Sequence, residues 1–145
     1  MTLQNLLGVS LAAIAPDRAT VMRLLAAASR NIADAKLAAL SAENRFDAAY
    51  KAIMQLSMLG LHVNGFRTLT SKPGHHQTAI QTLPKTVGIA AEQVIVLDAL
   101  RKQRNVADYS GDLVPESAVR ECIESAEASL VHVKRWVEAK KPELV

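Results

Sequence analysis

Hydrophobic residues recur along most of this chain at alternating steps of three and four positions. Three long stretches have this spacing, over residues 21–39, 46–63 and 119–137. Such spacing puts the apolar side chains on one face of an α-helix, and each stretch is long enough for about five turns. The pattern therefore predicts three long amphipathic helices.

A fourth apolar repeat runs from Ile80 to Leu97 and continues into Arg101 and Arg104. Pro84 and Gly88 interrupt its first part, and both residue types break helices. We therefore expect a short helix around residues 76–86, a bend, and a firmer helix over about 90–109. The only β-branched cluster, residues 94–97, falls inside this repeat.

Helix-capping residues stand at the ends of these stretches. Asp17 or Thr20 can cap the first helix and Ser41 the second, because short polar side chains accept hydrogen bonds from free N–H groups. Gly65 can end the second helix, and Pro115 suits the first turn of the last. Residues 68–76 are predicted to be a loop.

Four long helices joined by short connections favour an all-α fold, an antiparallel up-and-down four-helix bundle. Residues 3–14 are predicted to add a short N-terminal helix across it. Small residues on the apolar faces, such as Ala49 and Gly60, would let the helices approach closely. The length of 145 residues fits one domain, spanning residues 1–145.

Composition narrows the function only slightly. The formal net charge of +3 and pI of about 9.2 permit contact with nucleic acid without requiring it. No uncharged apolar run approaches the roughly twenty residues of a membrane span, and no Lys or Arg precedes the apolar N-terminus as in a secretory signal. We expect a cytoplasmic protein without membrane contact. The single cysteine, Cys122, is predicted to be a buried small residue.

Polar chemistry is concentrated near the end of the fourth repeat. Helical spacing aligns Arg101, Asn105 and Tyr109 in one row, and it sets Arg104 beside Asp108. The apolar face continues into the two arginines, whose charges need carboxylate partners, a water-filled cleft or a bound anion. One interpretation is a pair of structural ion pairs, Arg104 with Asp108 and Arg101 with Asp98. The other is a phosphate site, since guanidinium offers a planar fork of donors.

The order of these elements resembles that of the HEPN domain superfamily, over about residues 20–140. The likeness is carried by "SAENRFDAAYKAIMQLSMLGLHVNGFR" (residues 41–67), "PGHH" (73–76) and "LRKQRNVADY" (100–109). Members are helical bundles that commonly form homodimers, and many are metal-independent ribonucleases of toxin or defence systems. The resemblance implies that Arg104 is the signature arginine and Asn105 its polar neighbour, with the RNA backbone bound in a cleft between two copies.

Tyr109 stands where the superfamily motif has a histidine. A tyrosine has an ordinary pKa of about 10, against about 6.5 for histidine, so it is a poor general base at neutral pH. Tyr109 can at most donate a hydrogen bond or act as a weak acid. Members without the histidine are non-catalytic binding modules, so the resemblance leaves activity open.

Other residues offer further candidates for acid–base or anion-binding roles. His75 or His76 could supply the missing imidazole, or one could cap the next helix while the other stays in solvent. Arg45 lies early in a helix, where its charge opposes the helix dipole, and it is a candidate for binding an anion or a partner carboxylate. His62 and His132 are expected to be packing or surface residues. No metal-ligand spacing or glycine-rich phosphate loop is present, so no metal or cofactor is expected.

Two functions of different classes remain. The first is a HEPN-like homodimer that binds RNA, with cleavage as a further activity, through Arg104, Asn105 and Tyr109, with Arg101 and Arg45 as anion-binding candidates. The second is a non-catalytic module that dimerises or binds a partner protein such as an antitoxin or a nucleotidyltransferase. A small-molecule nucleotide binder is a third alternative.

Overall fold

The protein is mostly helical in a computed structural model that describes residues 2–111 and 113–145. The described residues form two short strands and six α-helices. The strands are β1 (Leu11–Ala13) and β2 (Phe66–Thr68). The helices are α1 (Arg18–Ala35), α2 (Ala42–Val63), α3 (His75–Gln81), α4 (Leu83–Thr86), α5 (Ala91–Ser110) and α6 (Glu116–Lys140).

Helix α2 is the centre of the fold. It packs against every other α-helix and against β2. Successive residues such as Ile53, Met54, Leu56 and Ser57 are buried, so α2 is enclosed around most of its circumference. A helix that is apolar on nearly all sides is stable only when other elements cover it. The remaining elements therefore surround α2.

The outer helices bury one face each, as the apolar spacing predicted. In α1 the buried residues are Val21, Ala28, Ile32 and Ala35, at steps of seven, four and three. Cys122 of α6 is fully buried, and burial raises the pKa of its thiol to about 12. The prediction of a buried cysteine is confirmed.

The predicted caps hold the ends of the first two long helices. Asp17 accepts a hydrogen bond of 2.7 Å from the backbone N–H of Thr20, and Ser41 accepts one of 3.2 Å from that of Asn44. Gly65 follows α2 with a φ of +89°, a left-handed conformation that favours glycine. These residues fix where α1 begins and where α2 begins and ends.

The interrupted fourth repeat has the predicted bend and long helix, but the single short helix predicted over residues 76–86 is divided at Thr82 into α3 and α4. Pro84 lies in the first turn of α4, where its missing N–H costs nothing. Gly88 has a φ of +70° and redirects the chain between α4 and α5. Pro115 lies one residue before α6 rather than in its first turn.

The predicted N-terminal helix over residues 3–14 is wrong. Residues Gln4–Leu6 form one turn of 3-10 helix, and β1 pairs antiparallel with β2. Gly8 adopts a φ of +79°, which interrupts a helix, and pairing satisfies the backbone groups of β2 after the end of α2. Leu11 of β1 is fully buried, so the segment belongs to the core. The predicted loop is shorter too, because Thr68 belongs to β2, and His75 and His76 to α3.

Candidate functional site

A cavity of about 280 Å³ lies between α1, α2, α3 and α5, and we call it the Arg104 pocket. Its apolar wall consists of Leu24, Met54 and Met58, and its polar wall of Asp47, Tyr50, Lys51, Gln55, His76 and Arg104. Arg104 was predicted as a site residue and His76 as an acid–base candidate. The structure brings these two residues into one pocket, although 28 positions separate them in the sequence (104 − 76).

Arg104 lies between two carboxylates and an aromatic ring. Its Nε is 3.1 Å from Asp47 Oδ1 and 3.3 Å from Asp108 Oδ2, and its guanidinium carbon lies 5.3 Å from the centroid of the Tyr50 ring. Partial burial acts against the charge, but the hydrogen bond and charge of Asp47 outweigh it and raise the pKa of Arg104. Within residues 2–111 and 113–145, no hydrogen bond uses either Nη group of Arg104. Those donors are free to bind an anion.

Arg101 is held by its own carboxylate. Its Nε lies 2.8 Å from Asp98 Oδ1, both side chains are largely buried, and this hydrogen bond lowers the pKa of Asp98. Both ion pairs considered from the sequence, Arg101 with Asp98 and Arg104 with Asp108, are therefore present in the structure. Arg104 differs because it has a second partner, Asp47 of α2, and because it lines a cavity.

His76 and Tyr50 form a neutral polar pair beside the guanidinium. His76 Nδ1 lies 3.3 Å from Tyr50 Oη, and the rings of His75 and His76 meet edge to face with centroids 4.6 Å apart. Burial lowers the pKa of His76, and the positive potential of His75, Arg104 and Arg101 lowers it further. Burial raises the pKa of Tyr50 to about 12. At neutral pH the pocket thus holds an uncharged imidazole and a protonated phenol next to a fixed cation.

Asn105 and Tyr109 lie on the solvent side of α5. Asn105 is exposed, and the Tyr109 side chain is 92% exposed. Neither residue lines the Arg104 pocket. The predicted row of Arg101, Asn105 and Tyr109 follows helical spacing on α5, but its last two members are exposed and lie outside the Arg104 pocket.

Asp47 and Tyr50 were not anticipated as site residues. Asp47, Lys51 and Gln55 stand at steps of four along α2, a polar row on an otherwise apolar helix, and all three line the pocket. That row was the available sequence signal. Tyr50 gave none, because a tyrosine on an apolar helix face is indistinguishable from a core residue.

Arg45 is used within the chain. Its Nε donates a 2.8 Å hydrogen bond to the carbonyl of Ala35 at the end of α1, and its Nη1 lies 3.2 Å from a carboxylate oxygen of Glu116 at the start of α6. Arg45 was expected to bind an anion or a partner carboxylate, and in the structure its carboxylate partner is Glu116 of the same chain. Arg45 joins three helices and lies outside the Arg104 pocket.

The other two histidines make structural contacts. His62 Nε2 accepts a 3.0 Å hydrogen bond from the backbone N–H of Asp17, and His132 Nε2 donates one of 2.6 Å to the carbonyl of Val87. These bonds connect α2 to the start of α1, and α6 to the end of α4. His62 is thus a partly buried packing residue and His132 a surface residue, the two alternatives expected for them.

Comparison with protein-family models, with curated proteins and with solved structures finds no match to this chain. In the part of the chain that the structure describes, no helix has both the length and the apolar composition needed to cross a membrane. The same residues include no group of three or more His, Cys, Asp or Glu side chains arranged to hold a metal ion. The geometry of the pocket therefore carries the functional argument.

Proposed function

We propose that the protein is a HEPN-like RNA-binding protein whose Arg104 pocket binds the phosphate backbone and cleaves it without a metal ion. The observation that carries the proposal is that Arg104, His76 and Tyr50 line one cavity. In this proposal α1, α2, α5 and α6 form the up-and-down bundle of that superfamily. The protein acts in the cytoplasm as a homodimer.

Arg104 is the phosphate-binding group of the proposal. Its Nε is engaged by Asp47 and Asp108, which fixes the plane of the guanidinium while both Nη groups stay available. A guanidinium held in this way loses little conformational freedom on binding and offers paired donors to two phosphate oxygens. It would also stabilise the extra negative charge of a pentacoordinate phosphorus transition state.

His76 takes the place of the imidazole that the motif lacks. The lowered pKa keeps His76 neutral at physiological pH, as a general base requires. If its Nδ1–H donates to Tyr50 Oη, its other ring nitrogen retains a lone pair for the proton of an RNA 2′-hydroxyl. The resulting alkoxide attacks the adjacent phosphorus, and the 5′-oxygen leaves with a proton. His75, whose ring centroid lies 4.6 Å from that of His76, is the candidate donor of that proton.

The test is binding and cleavage of single-stranded RNA in the presence of a metal chelator. We expect Arg104→Ala to weaken binding about tenfold or more, because charge-assisted hydrogen bonds to phosphate are lost. His76→Ala should abolish cleavage while leaving affinity within about threefold. Arg135→Ala on α6 is the matched control, since it removes an exposed arginine that lies outside the pocket. Unchanged affinity of a folded Arg104→Ala protein would refute the proposal.

An interaction module is the second candidate function, and an exposed apolar row on α5 favours it. Ile95, Val106 and Tyr109 are 71%, 59% and 92% exposed, and Leu113 just beyond the helix is 85% exposed. Within α5, Ile95, Val106 and Tyr109 fall with Ala99 and Lys102 at alternating steps of four and three, the spacing of a helix that pairs with another helix. Under this alternative the row binds a second copy of the chain or a partner such as an antitoxin or a nucleotidyltransferase, and no RNA is cleaved.

Sedimentation analysis of Val106→Glu tests the role of this row. If the row holds a homodimer, the glutamate should convert it to monomer while the thermal melting curve changes little, because Val106 is exposed. A wild-type protein that is monomeric at high concentration would remove the homodimer from both candidate functions.

A further inference from the structure

A second cavity lies beside the Arg104 pocket, between α1 and α2. It has a volume of about 410 Å³, and we call it the amide groove, after the side chains of Asn31 and Gln55. Lys51 and Gln55 line both cavities, so the two adjoin on α2, and we call the adjoining pair the channel. A ligand that reaches past Lys51 would contact both Arg104 and the amide groove.

Asn31 and Gln55 form a connected pair with unused hydrogen-bonding groups. Asn31 Nδ2 donates a 2.8 Å hydrogen bond to Gln55 Oε1, which links α1 to α2, and both side chains are partly buried. Among the described residues, no hydrogen bond uses Asn31 Oδ1 or Gln55 Nε2. The pair lines the groove and has one acceptor and one donor left over from its mutual bond.

Charge in the channel is suited to a chain of phosphates. Lys51 stands between the two cavities and Arg30 lies in the amide groove, and both are exposed. Asp34 is the acidic residue of the groove, and Asp47 on the pocket side is paired with Arg104. The cationic groups Arg104, Lys51 and Arg30 therefore follow one another along the channel.

We infer that the amide groove holds the nucleotide next to the phosphate bound by Arg104, with the Asn31–Gln55 pair hydrogen-bonded to the edge of its base. This inference rests on the proposed RNA-binding function of the Arg104 pocket. Every nucleobase offers a donor and an acceptor side by side on its pairing edge, and side-chain amides recognise such edges. Lys51 contacts the phosphate between the two cavities, and Arg30 the phosphate beyond the base.

The test compares a short single-stranded RNA with an abasic ribose–phosphate oligomer of the same length, which has the same phosphates and no bases. We expect the wild-type protein to bind the base-containing RNA about tenfold more tightly, as loss of two hydrogen bonds predicts. Asn31→Leu combined with Gln55→Leu should reduce this preference by about the same factor. Lys51→Met should weaken binding of both oligomers equally, because it removes a phosphate contact.

The Gln55→Glu variant is a control for the case in which the double variant does not fold. A glutamate can still accept the hydrogen bond from Asn31, but it lacks the donor that the base requires, so it should reduce the preference with little change in melting temperature. One result would overturn the inference and leave the proposed function standing. In that result, RNA binding depends on Arg104, but the base preference is unchanged in the folded Asn31→Leu/Gln55→Leu and Gln55→Glu proteins. Absence of Arg104-dependent RNA binding would overturn both.

Discussion

At the scale of single residues, the pocket combines a permanent charge with a neutral base. Arg104 and His76 are near enough for the guanidinium to help lower the pKa of the imidazole. Asp47 and Asp108 raise the pKa of Arg104, so the arginine keeps its charge in the pocket. At any pH between the two pKa values, Arg104 is therefore charged and His76 is neutral.

The lowered pKa of His76 predicts how stability depends on pH. In the unfolded chain this pKa is about 6.5, above its value in the folded protein. Below about pH 6.5 the unfolded state therefore binds more protons, so stability is full above this pH and is lost as the pH falls toward the folded-state pKa. The pKa of Asp98 is lowered from 3.8, so its contribution is lost only in more acidic solution.

The measurement is the melting temperature of wild-type and His76→Gln proteins at about pH 7.5 and about pH 5.5. The melting temperature of the wild-type protein should decrease more than that of the variant when the pH is lowered, because glutamine does not titrate. Equal losses in the two proteins would show that His76 is protonated equally in the folded and unfolded states.

At the scale of elements, Gly60 permits a close approach of α2 and α4. A Cβ at this position would lie 2.8 Å from Thr86 Oγ1 and 3.5 Å from Val87 Cγ1. Thr86 is buried and β-branched, so its hydroxyl cannot easily move aside. The absence of a side chain at Gly60 is a packing requirement.

Gly60→Ala should therefore destabilise the protein. Helix propensity alone would favour alanine by about 1 kcal/mol, but overpacking a core costs about 1–3 kcal/mol. We expect a lower free energy of unfolding in urea, and a double-mutant cycle with Thr86→Ala should recover part of the loss. A stabilised Gly60→Ala protein would mean that α4 moves away from α2 at little cost.

The long helices could be predicted from sequence because their signal is local. Apolar spacing and the caps at Asp17 and Ser41 are properties of neighbouring residues, and the structure contains both. Strand β1 could not be predicted in this way. Its three residues, Leu11–Ala13, fit a helical pattern equally well, and they are a strand because β2 pairs with them.

The same distinction holds within the candidate site. Arg101 and Arg104 were recognisable because they continue an apolar face, and Asp98 and Asp108 because they lie three or four positions away. The contact between Tyr50 and His76 joins α2 to α3, and no local pattern encodes it. The sequence therefore indicated Arg104, whereas Tyr50 and His76 could be recognised as its neighbours only from the packing of the helices.

At the scale of the whole molecule, the N-terminal segment is part of the core. Leu11 is fully buried although it precedes the first helix. Leu11→Ala should reduce the free energy of unfolding by about 2–5 kcal/mol, as other large-to-small core changes do. Val9→Ala is the control, since Val9 is 63% exposed and its change should cost no more than about 0.5 kcal/mol. Equal effects of the two substitutions in chemical denaturation would contradict a core role for β1.

The order of the pocket residues along the chain has a consequence for synthesis on the ribosome. Tyr50 belongs to α2 and His76 to α3, so both leave the ribosome before Arg104. Residues emerge in chain order during synthesis, so the pocket has no Arg104 guanidinium until α5 has been made. A nascent chain that stops before α5 would thus lack the proposed phosphate site, and RNA near the ribosome would meet that site only after α5 had emerged.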